Sequence, residues 1–117
     1  MATTEIHRYL SVGERRIALD PEGYLVTLDD WTPEVASALA QEEGRTLTEE
    51  HWEVIAVLRD FYARFEHVPA MRPLVKAVGL TLGPEKGCSL HLMKLFPDSP
   101  AKVAARLAGL PKPTHCL

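Results

Sequence analysis

Two short segments near the N-terminus, residues 15–19 and 24–28, are rich in residue types that are typical of β-strands. They flank Asp20-Pro21-Glu22-Gly23, where proline presets one turn dihedral and glycine accepts a positive φ. This arrangement predicts a β-hairpin formed by the two segments, and it leaves open a further strand before Ser11. We therefore expect a β-hairpin region at about residues 6–28.

From residue 33 onwards, hydrophobic residues recur every three or four positions, the spacing that places them on one face of a helix. Prolines, glycines and capping hydroxyls divide this part of the chain into five predicted helices. The longest begins at Thr46 or Thr48 and ends before Pro69. The other four are predicted at about residues 33–43, 73–78, 84–96 and 100–108.

Gly109 is expected to end the fifth helix, and Leu110-Pro111-Lys112-Pro113 comes directly after it. Each proline fixes its own φ and biases the preceding residue away from the α conformation, so this segment should be extended. The seven residues from Pro111 to the end could reach roughly 20 Å. The sequence thus predicts a single compact α+β domain at residues 1–109 and a flexible C-terminal arm at residues 110–117.

The chain has 117 residues, of which 46% are hydrophobic and 25% are charged, values typical of one folded domain rather than a disordered chain. No apolar run is long enough for a membrane span, and MATTEIHRYL lacks the apolar centre of a signal peptide. These features favour a cytoplasmic protein without a membrane partner. With two cysteines, no Cys-x-x-Cys and no glycine-rich phosphate loop, neither a metal nor a cofactor is predicted.

Charge is distributed unevenly along the chain. Residues 1–71 carry six Lys or Arg against 14 Asp or Glu, a net charge of −8, whereas residues 72–117 carry seven against two, a net charge of +5. The basic segment could provide a docking face for an acidic partner, although such charges usually form an ordinary solvated surface. The candidate docking residues are Arg72, Lys76, Lys86, Lys94, Lys102, Arg106 and Lys112.

Cys116 lies near the end of the predicted arm, and a thiol in that position can enter the active site of another protein. As a thiolate it can accept sulfur and leave as a persulfide. Lys112, His115 and Arg106 are candidate binding residues because cations favour the thiolate. The alternative is that Cys116 is an incidental residue of an unordered tail. Cys88 is predicted to be a core residue of the fourth helix, with a resolving thiol as its alternative.

A second class of function is a helix-turn-helix regulator that binds nucleic acid through residues 48–80 and the basic segment. The acidic net charge opposes this hypothesis. The aromatic residues that could stack on bases, including Trp31 and Trp52, lie in the acidic half, where phosphate would be repelled. They are predicted to be core residues instead, and direct binding of nucleic acid is not expected.

Several motifs that occur in order along the chain resemble those of the DsrC/TusE family of sulfur-carrier proteins. The resemblance covers about residues 15–117 and ends on the penultimate Cys116. The motifs are Gly23-Tyr24-Leu25-Val26 before Trp31, Leu47-Thr48-Glu49-Glu50-His51-Trp52, Arg72-Pro73-Leu74-Val75-Lys76, Pro84-Glu85-Lys86-Gly87, Leu95-Phe96-Pro97, Pro100-Ala101-Lys102 and Ala108-Gly109-Leu110-Pro111-Lys112-Pro113.

The resemblance implies an α+β fold in which a β-hairpin region precedes a helical bundle with helix-turn-helix-like elements. It also implies a sulfurtransferase role, with Cys116 as the sulfur-bearing residue. In the TusE branch, the carrier accepts sulfur from a TusBCD-type complex and passes it to the tRNA 2-thiouridylase. In the DsrC branch, two arm cysteines serve dissimilatory sulfite reductase and a membrane disulfide reductase, and a DsrEFH-type complex is a possible donor.

One position departs from the DsrC pattern. That branch has a second cysteine eleven positions before the penultimate one, and Ala105 occupies this position here. The disulfide or trisulfide that uses both arm cysteines therefore cannot form in that way. The chain resembles the single-cysteine TusE type, and a single-cysteine DsrC-like protein of sulfur oxidation or dissimilatory sulfur metabolism is the alternative.

Overall fold

The computed structural model describes residues 5–113 of the chain. Two strands come first, β1 (Arg8–Val12) and β2 (Arg15–Leu19), and they pair antiparallel with Leu10 opposite Ile17. Gly13 lies in the two-residue connection between them at φ 60°, a conformation that costs glycine little because it has no Cβ. Leu10 and Ile17 are both buried, so the hairpin contributes one apolar face to the core.

The predicted hairpin region is present, but its strand pairing differs from the prediction: β2 pairs along its length with β1, and residues 15–19 pair with residues 24–28 at only one bridge. The turn after β2 does form, and the Asp20 carboxylate accepts hydrogen bonds from the backbone N–H of Glu22 and Tyr24. Beyond it there is only an isolated bridge between Leu19 and Leu25. Tyr24 and Leu25 are neighbours in the sequence and are both buried. In a strand with one buried and one exposed face, buried and exposed residues would alternate instead.

Residues 5–113 contain five α-helices, as predicted. A short 3₁₀ helix at Leu28–Asp30 precedes them. The hydroxyl of Thr32 accepts the backbone N–H of Val35 and caps the first helix, which has proline at its first position. The helices are α1 (Pro33–Glu42), α2 (Glu49–Phe65), α3 (Met71–Leu82), α4 (Ser89–Leu95) and α5 (Pro100–Leu107).

The boundaries of α3 and α4 differ from the prediction because Gly79 does not end α3. It lies inside the helix, where Gly87 approaches so closely that a Cβ on Gly87 would lie 2.2 Å from the Gly79 Cα. Residues 84–87 form turns, and α4 begins only at Ser89. The two glycines therefore allow the α3–α4 connection to pack against α3 through backbone contact.

Helix α5 occupies the centre of the fold and contacts α1, α2, α3 and α4. Its buried face consists mostly of small residues, including Ala101, Ala104 and Ala105, which allow the neighbouring helices to approach closely. The C-terminal segment after α5 therefore starts from the most enclosed helix of the fold. None of the helices in the described part of the chain is long and apolar enough to cross a membrane.

Candidate functional site

The C-terminal segment leaves α5 through a tightly bonded turn. Gly109 adopts φ 73°, and its N–H donates to the carbonyl of Arg106 at 3.2 Å. The N–H of Leu110 donates to the carbonyl of Ala105 at 3.0 Å, and the side chains of Leu110 and Ala105 are both buried. These two bonds are the hydrogen bonds of a Schellman motif, and the burial of both side chains accords with it, so Gly109 ends α5 as the sequence predicts.

Two side chains from distant parts of the sequence bind the last carbonyls of this region. The Trp31 indole N–H donates to the carbonyl of Leu107 at 2.9 Å, and the Arg59 guanidinium donates to that of Ala108 at 2.6 Å. The guanidinium lies 3.9 Å from the centre of the Trp31 ring, a cation–π contact. We call these two residues the Trp31–Arg59 pair. Its cation lies where the helix dipole is negative, so it fixes the point at which the C-terminal segment begins.

Burial lowers the pKa of Arg59 from its ordinary value, since desolvation disfavours the charged form. An arginine retains its charge despite such a shift. The Ala108 carbonyl and the face of the Trp31 ring compensate that charge. The guanidinium can therefore remain cationic in this partly buried position.

Residues 110–113 are not helical and lie against the body of the protein. Leu110 and Pro113 are buried, and the Lys112 ammonium lies 2.8 Å from the carboxylate of Glu22 in the turn after β2. The first four residues of the predicted arm thus have defined contacts. The division into a domain at residues 1–109 and a flexible arm at residues 110–117 stays a prediction, because residues 114–117 lie outside the described part of the chain.

Two of the predicted binding residues lie close to the turn that holds Glu22 and Gly23. Arg106 forms an ion pair with Glu43. A Cβ added to Gly23 would lie 3.3 Å from the Cδ of Arg106. The Nε of Arg106 is buried and has no hydrogen-bond partner among residues 5–113. Arg106 also lines a cleft of about 290 Å³ together with Glu22 and Gly23. Arg106 and Lys112 are therefore both associated with this turn.

The other predicted site residues, Cys116 and His115, lie outside the described residues. Cys88 is described and differs from the prediction that it is a core residue. It precedes α4, is only partly buried, and its Sγ lies 3.5 Å from the carbonyl of Glu85. Because α4 starts at Ser89, Cys88 does not share a helical face with Leu92 and Phe96.

Part of the basic segment of the sequence is neutralised by carboxylates of the acidic half. Lys86, Arg106 and Lys112 are bound to Glu53, Glu43 and Glu22, all from the acidic half of the chain. Glu53 is the main cause of the raised pKa of Lys86, chiefly through their hydrogen bond. Three of the seven candidate docking residues thus connect the two halves of the protein.

Sequence reasoning missed the Trp31–Arg59 pair. The sequence marks Trp31 only as an aromatic core residue, and nothing in the spacing around Arg59 distinguishes it. The indole N–H is the one available signal, because a partly buried tryptophan usually places that donor on an acceptor. The acceptor itself is 76 residues away along the chain.

The family model described as DsrC like protein matches residues 11–117. The chain belongs to the DsrC-like family. A relative named sulfurtransferase TusE, from Pectobacterium atrosepticum, is 50% identical over 103 residues, which cover 88% of this chain and 94% of that protein. These matches confirm the family resemblance noted in the sequence and support a sulfur-carrier role.

Two solved structures of the DsrC-like family resemble the fold. The solution structure of Allochromatium vinosum DsrC has a TM-score of 0.86 and 50% identity, covering 94% of this chain and 98% of that one. The crystal structure of the oxidized γ-subunit of dissimilatory sulfite reductase (DsrC) from Archaeoglobus fulgidus has a TM-score of 0.80 and 40% identity, covering 93% of this chain and 99% of that one. The predicted α+β fold is confirmed.

Proposed function

We propose that this DsrC-like protein carries sulfur as a persulfide on Cys116. The main structural support is the well-bonded turn at the end of α5, where the Trp31–Arg59 pair fixes the start of the segment that leads to this cysteine. Cys116 lies three residues beyond Pro113, so an extended chain would place its Cα at most about 10 Å from that residue. A defined base and a short tip suit delivery of a thiol into the active site of another protein.

The proposed transfer requires no external oxidant or reductant. The Cys116 thiolate attacks the outer sulfur of a donor persulfide, and a new S–S bond forms. The S–S bond of the donor breaks, the donor cysteine leaves as a thiolate, and the proton stays on the transferred sulfur. On delivery, a thiolate of the acceptor attacks the outer sulfur of the Cys116 persulfide, and Cys116 leaves as a thiolate. The sulfur atom therefore moves without net oxidation.

The two described cations of the predicted site each have a carboxylate partner. We therefore assign Lys112 to holding the base of the C-terminal segment against Glu22 of the turn after β2, and Arg106 to holding α5 against the end of α1 through Glu43. His115, next to Cys116 in the sequence, remains the candidate for favouring the thiolate. Thiolate formation would then depend on His115 and on groups of the bound partner.

For the partners, we propose a donor complex of the TusBCD or DsrEFH type and a tRNA 2-thiouridylase as the acceptor, in the cytoplasm. The relative named sulfurtransferase TusE and the alanine at position 105 support this choice. The DsrC structures support the alternative acceptor, an enzyme of sulfur oxidation or dissimilatory sulfur metabolism. Both alternatives use the same chemistry at Cys116.

Intact-mass measurement after exposure to inorganic polysulfide tests the chemistry. The wild type and Cys88→Ser should quickly gain the mass of sulfur atoms that dithiothreitol removes, whereas Cys116→Ser, which retains only the partly buried Cys88, should gain it much more slowly. Equal loading of Cys116→Ser and the wild type would contradict the proposal.

Complementation tests the acceptor. In a Pectobacterium atrosepticum strain that lacks its TusE sulfurtransferase, the wild-type chain should restore tRNA 2-thiouridine and Cys116→Ser should not. If the wild type is produced and loads with polysulfide but restores no 2-thiouridine, the dissimilatory alternative is favoured.

A further inference from the structure

A groove of about 370 Å³ runs between α2 and α3, on a part of the surface that the proposed function does not use. Phe61 and Phe65 of α2 and Ala77 and Leu80 of α3 are among its lining residues. Leu80 is 80% exposed and Phe65 is 56% exposed. Two large apolar side chains exposed in one groove form an apolar surface that a binding partner could bury.

Packing of the core does not explain these side chains. Helix α3 contributes Leu74 and Val78 to the core, whereas Leu80 is not part of it. Phe61 and Phe65 are also outside the core cluster, and they pack on each other with ring centroids 4.7 Å apart. The ring of His67 packs edge-on against the ring of Phe61, with the ring centroids 5.3 Å apart. The aromatic wall of the groove is therefore already ordered by its own contacts, which lowers the entropy cost of binding.

The charges along the groove indicate what kind of partner fits. Asp60 and Arg64 also line it, but they form an ion pair with each other at 3.1 Å. Lys76 lines the α3 side of the groove, is exposed and has no ion pair or hydrogen bond within residues 5–113. Arg72, one helical turn earlier, is also exposed and unpaired within these residues, but it is not one of the residues that line the groove. The groove thus combines an apolar floor with uncompensated positive charge on one side, which is complementary to an apolar segment that carries carboxylates.

We propose that the α2–α3 groove binds an acidic, apolar segment of the protein that exchanges sulfur with this chain. This inference rests on the proposed function. Helix α2 connects the groove with the start of the C-terminal segment, because Arg59 binds the Ala108 carbonyl and the next residue, Asp60, lines the groove. A partner held in the groove is therefore held at a fixed position relative to the base of that segment. This raises the effective concentration of its reacting sulfur near Cys116.

The test uses two pairs of matched variants in the full-length protein. Leu80→Ser and Lys76→Glu change the groove. Leu90→Ser and Arg16→Glu are the controls, because Leu90 is 74% exposed on α4, Arg16 is exposed on β2, and neither lines the groove. All four positions are exposed, so every variant should unfold at close to the wild-type temperature.

Each variant is loaded in two ways, with inorganic polysulfide and with a persulfide-carrying TusBCD-type complex, and is then given to a tRNA 2-thiouridylase. Polysulfide should load all variants equally. Transfer with at least one protein partner should be about tenfold slower for Leu80→Ser and Lys76→Glu than for their controls. Transfer by Lys76→Glu should also depend less on ionic strength than that of the wild type.

If both groove variants transfer at the rates of their controls with both partners, the inference is overturned. It is equally overturned if Leu80→Ser abolishes only self-association or only binding to anionic phosphatidylglycerol vesicles, because the occupant is then a second copy or a membrane. A wild type that polysulfide does not load at Cys116 contradicts the proposed function instead, so the two failures are distinguishable.

Discussion

The Arg59 guanidinium lies 3.9 Å from the centre of the Trp31 ring, and each of the two side chains donates a hydrogen bond to a backbone carbonyl at the end of α5. The carbonyls at a helix C-terminus have no partner within the helix. This pair supplies two such partners and places a positive charge at the negative end of the dipole. One contact thereby connects α2, the segment before α1 and the start of the C-terminal segment.

Replacing Arg59 by leucine should destabilise the protein by about 2 kcal/mol, since it leaves the Ala108 carbonyl without its donor and removes the cation–π contact. Arg16 offers a matched control because its guanidinium lies 4.3 Å from the centre of the Tyr9 ring, on the exposed face of the hairpin. Arg16→Leu should cost less than about 0.5 kcal/mol. Urea denaturation measures both free energies of unfolding, and equal losses would show that the position at the helix end is unimportant.

Gly109→Ala should be one of the most damaging substitutions of a small residue. A Cβ at this position would lie 2.2 Å from Cδ1 of Trp31, in addition to the strain of φ 73°. Gly44 isolates the strain, because it also has φ 73° but a Cβ there would meet nothing within 4 Å. Gly44→Ala should therefore cost about 1 kcal/mol and Gly109→Ala at least about 3 kcal/mol.

Thermal unfolding of the two glycine variants gives this comparison directly. Hydrogen exchange of the Leu110 amide measures the turn itself, because this amide donates a hydrogen bond to the carbonyl of Ala105 in the wild type. Gly109→Ala should accelerate this exchange, and Gly44→Ala should leave it near the wild-type rate. Similar unfolding temperatures for the two variants would mean that Trp31 moves aside at little cost.

The ion pair between Lys86 and Glu53, 2.6 Å apart, should make stability depend on pH in the alkaline range. Glu53 raises the pKa of Lys86 above its ordinary value of 10.5. The folded state therefore holds this proton more tightly than the unfolded state. The stabilisation is fully present below the ordinary pKa and is lost as the pH rises through the raised value.

The measurement is the free energy of unfolding of the wild type and of Glu53→Gln between about pH 9 and 11.5. The difference between the two proteins should shrink as the pH rises across this range. Arg64→Gln is the control because it breaks the exposed Arg64–Asp60 pair, and arginine does not titrate there. A difference for Glu53→Gln that stays constant with pH would contradict the assignment.

Local signals in the sequence correctly predicted the features that depend on neighbouring residues. Thr32 before Pro33 marked the start of α1, and Gly109 marked the end of α5. The hairpin partner was missed because the conspicuous turn at Asp20–Gly23 suggested that strand β2 pairs with residues 24–28, whereas Gly13 and Glu14 provide a shorter connection to β1.

Contacts between distant residues could not be predicted in this way. The hydrogen bond from Arg59 to Ala108 spans 49 residues, and no pattern around either residue announces the other. The same limit applies to charge. The sequence separates an acidic half from a basic one, but folding pairs Lys86 with Glu53 and Arg106 with Glu43. Part of the positive charge of the basic segment is therefore neutralised by ion pairs within the protein.

Cys88 is expected to react with thiol reagents but to have no part in sulfur transfer. Its Sγ is partly buried and has a weak contact with the Glu85 carbonyl at 3.5 Å, and Cys88 lies in the connection between α3 and α4. Titration of the folded wild type with Ellman's reagent should give one fast thiol and one slower thiol. Cys116→Ser should retain only the slower one, and Cys88→Ser only the fast one.

The Cys88→Ser variant should also keep its stability within about 0.5 kcal/mol of the wild type, because one weak contact of a partly buried side chain is lost. Its rate of polysulfide loading should be unchanged. A resolving role for Cys88 makes the opposite prediction. Loaded wild type would then release sulfide and form an intramolecular disulfide between Cys88 and Cys116, which non-reducing mass spectrometry after proteolysis detects as a crosslinked peptide.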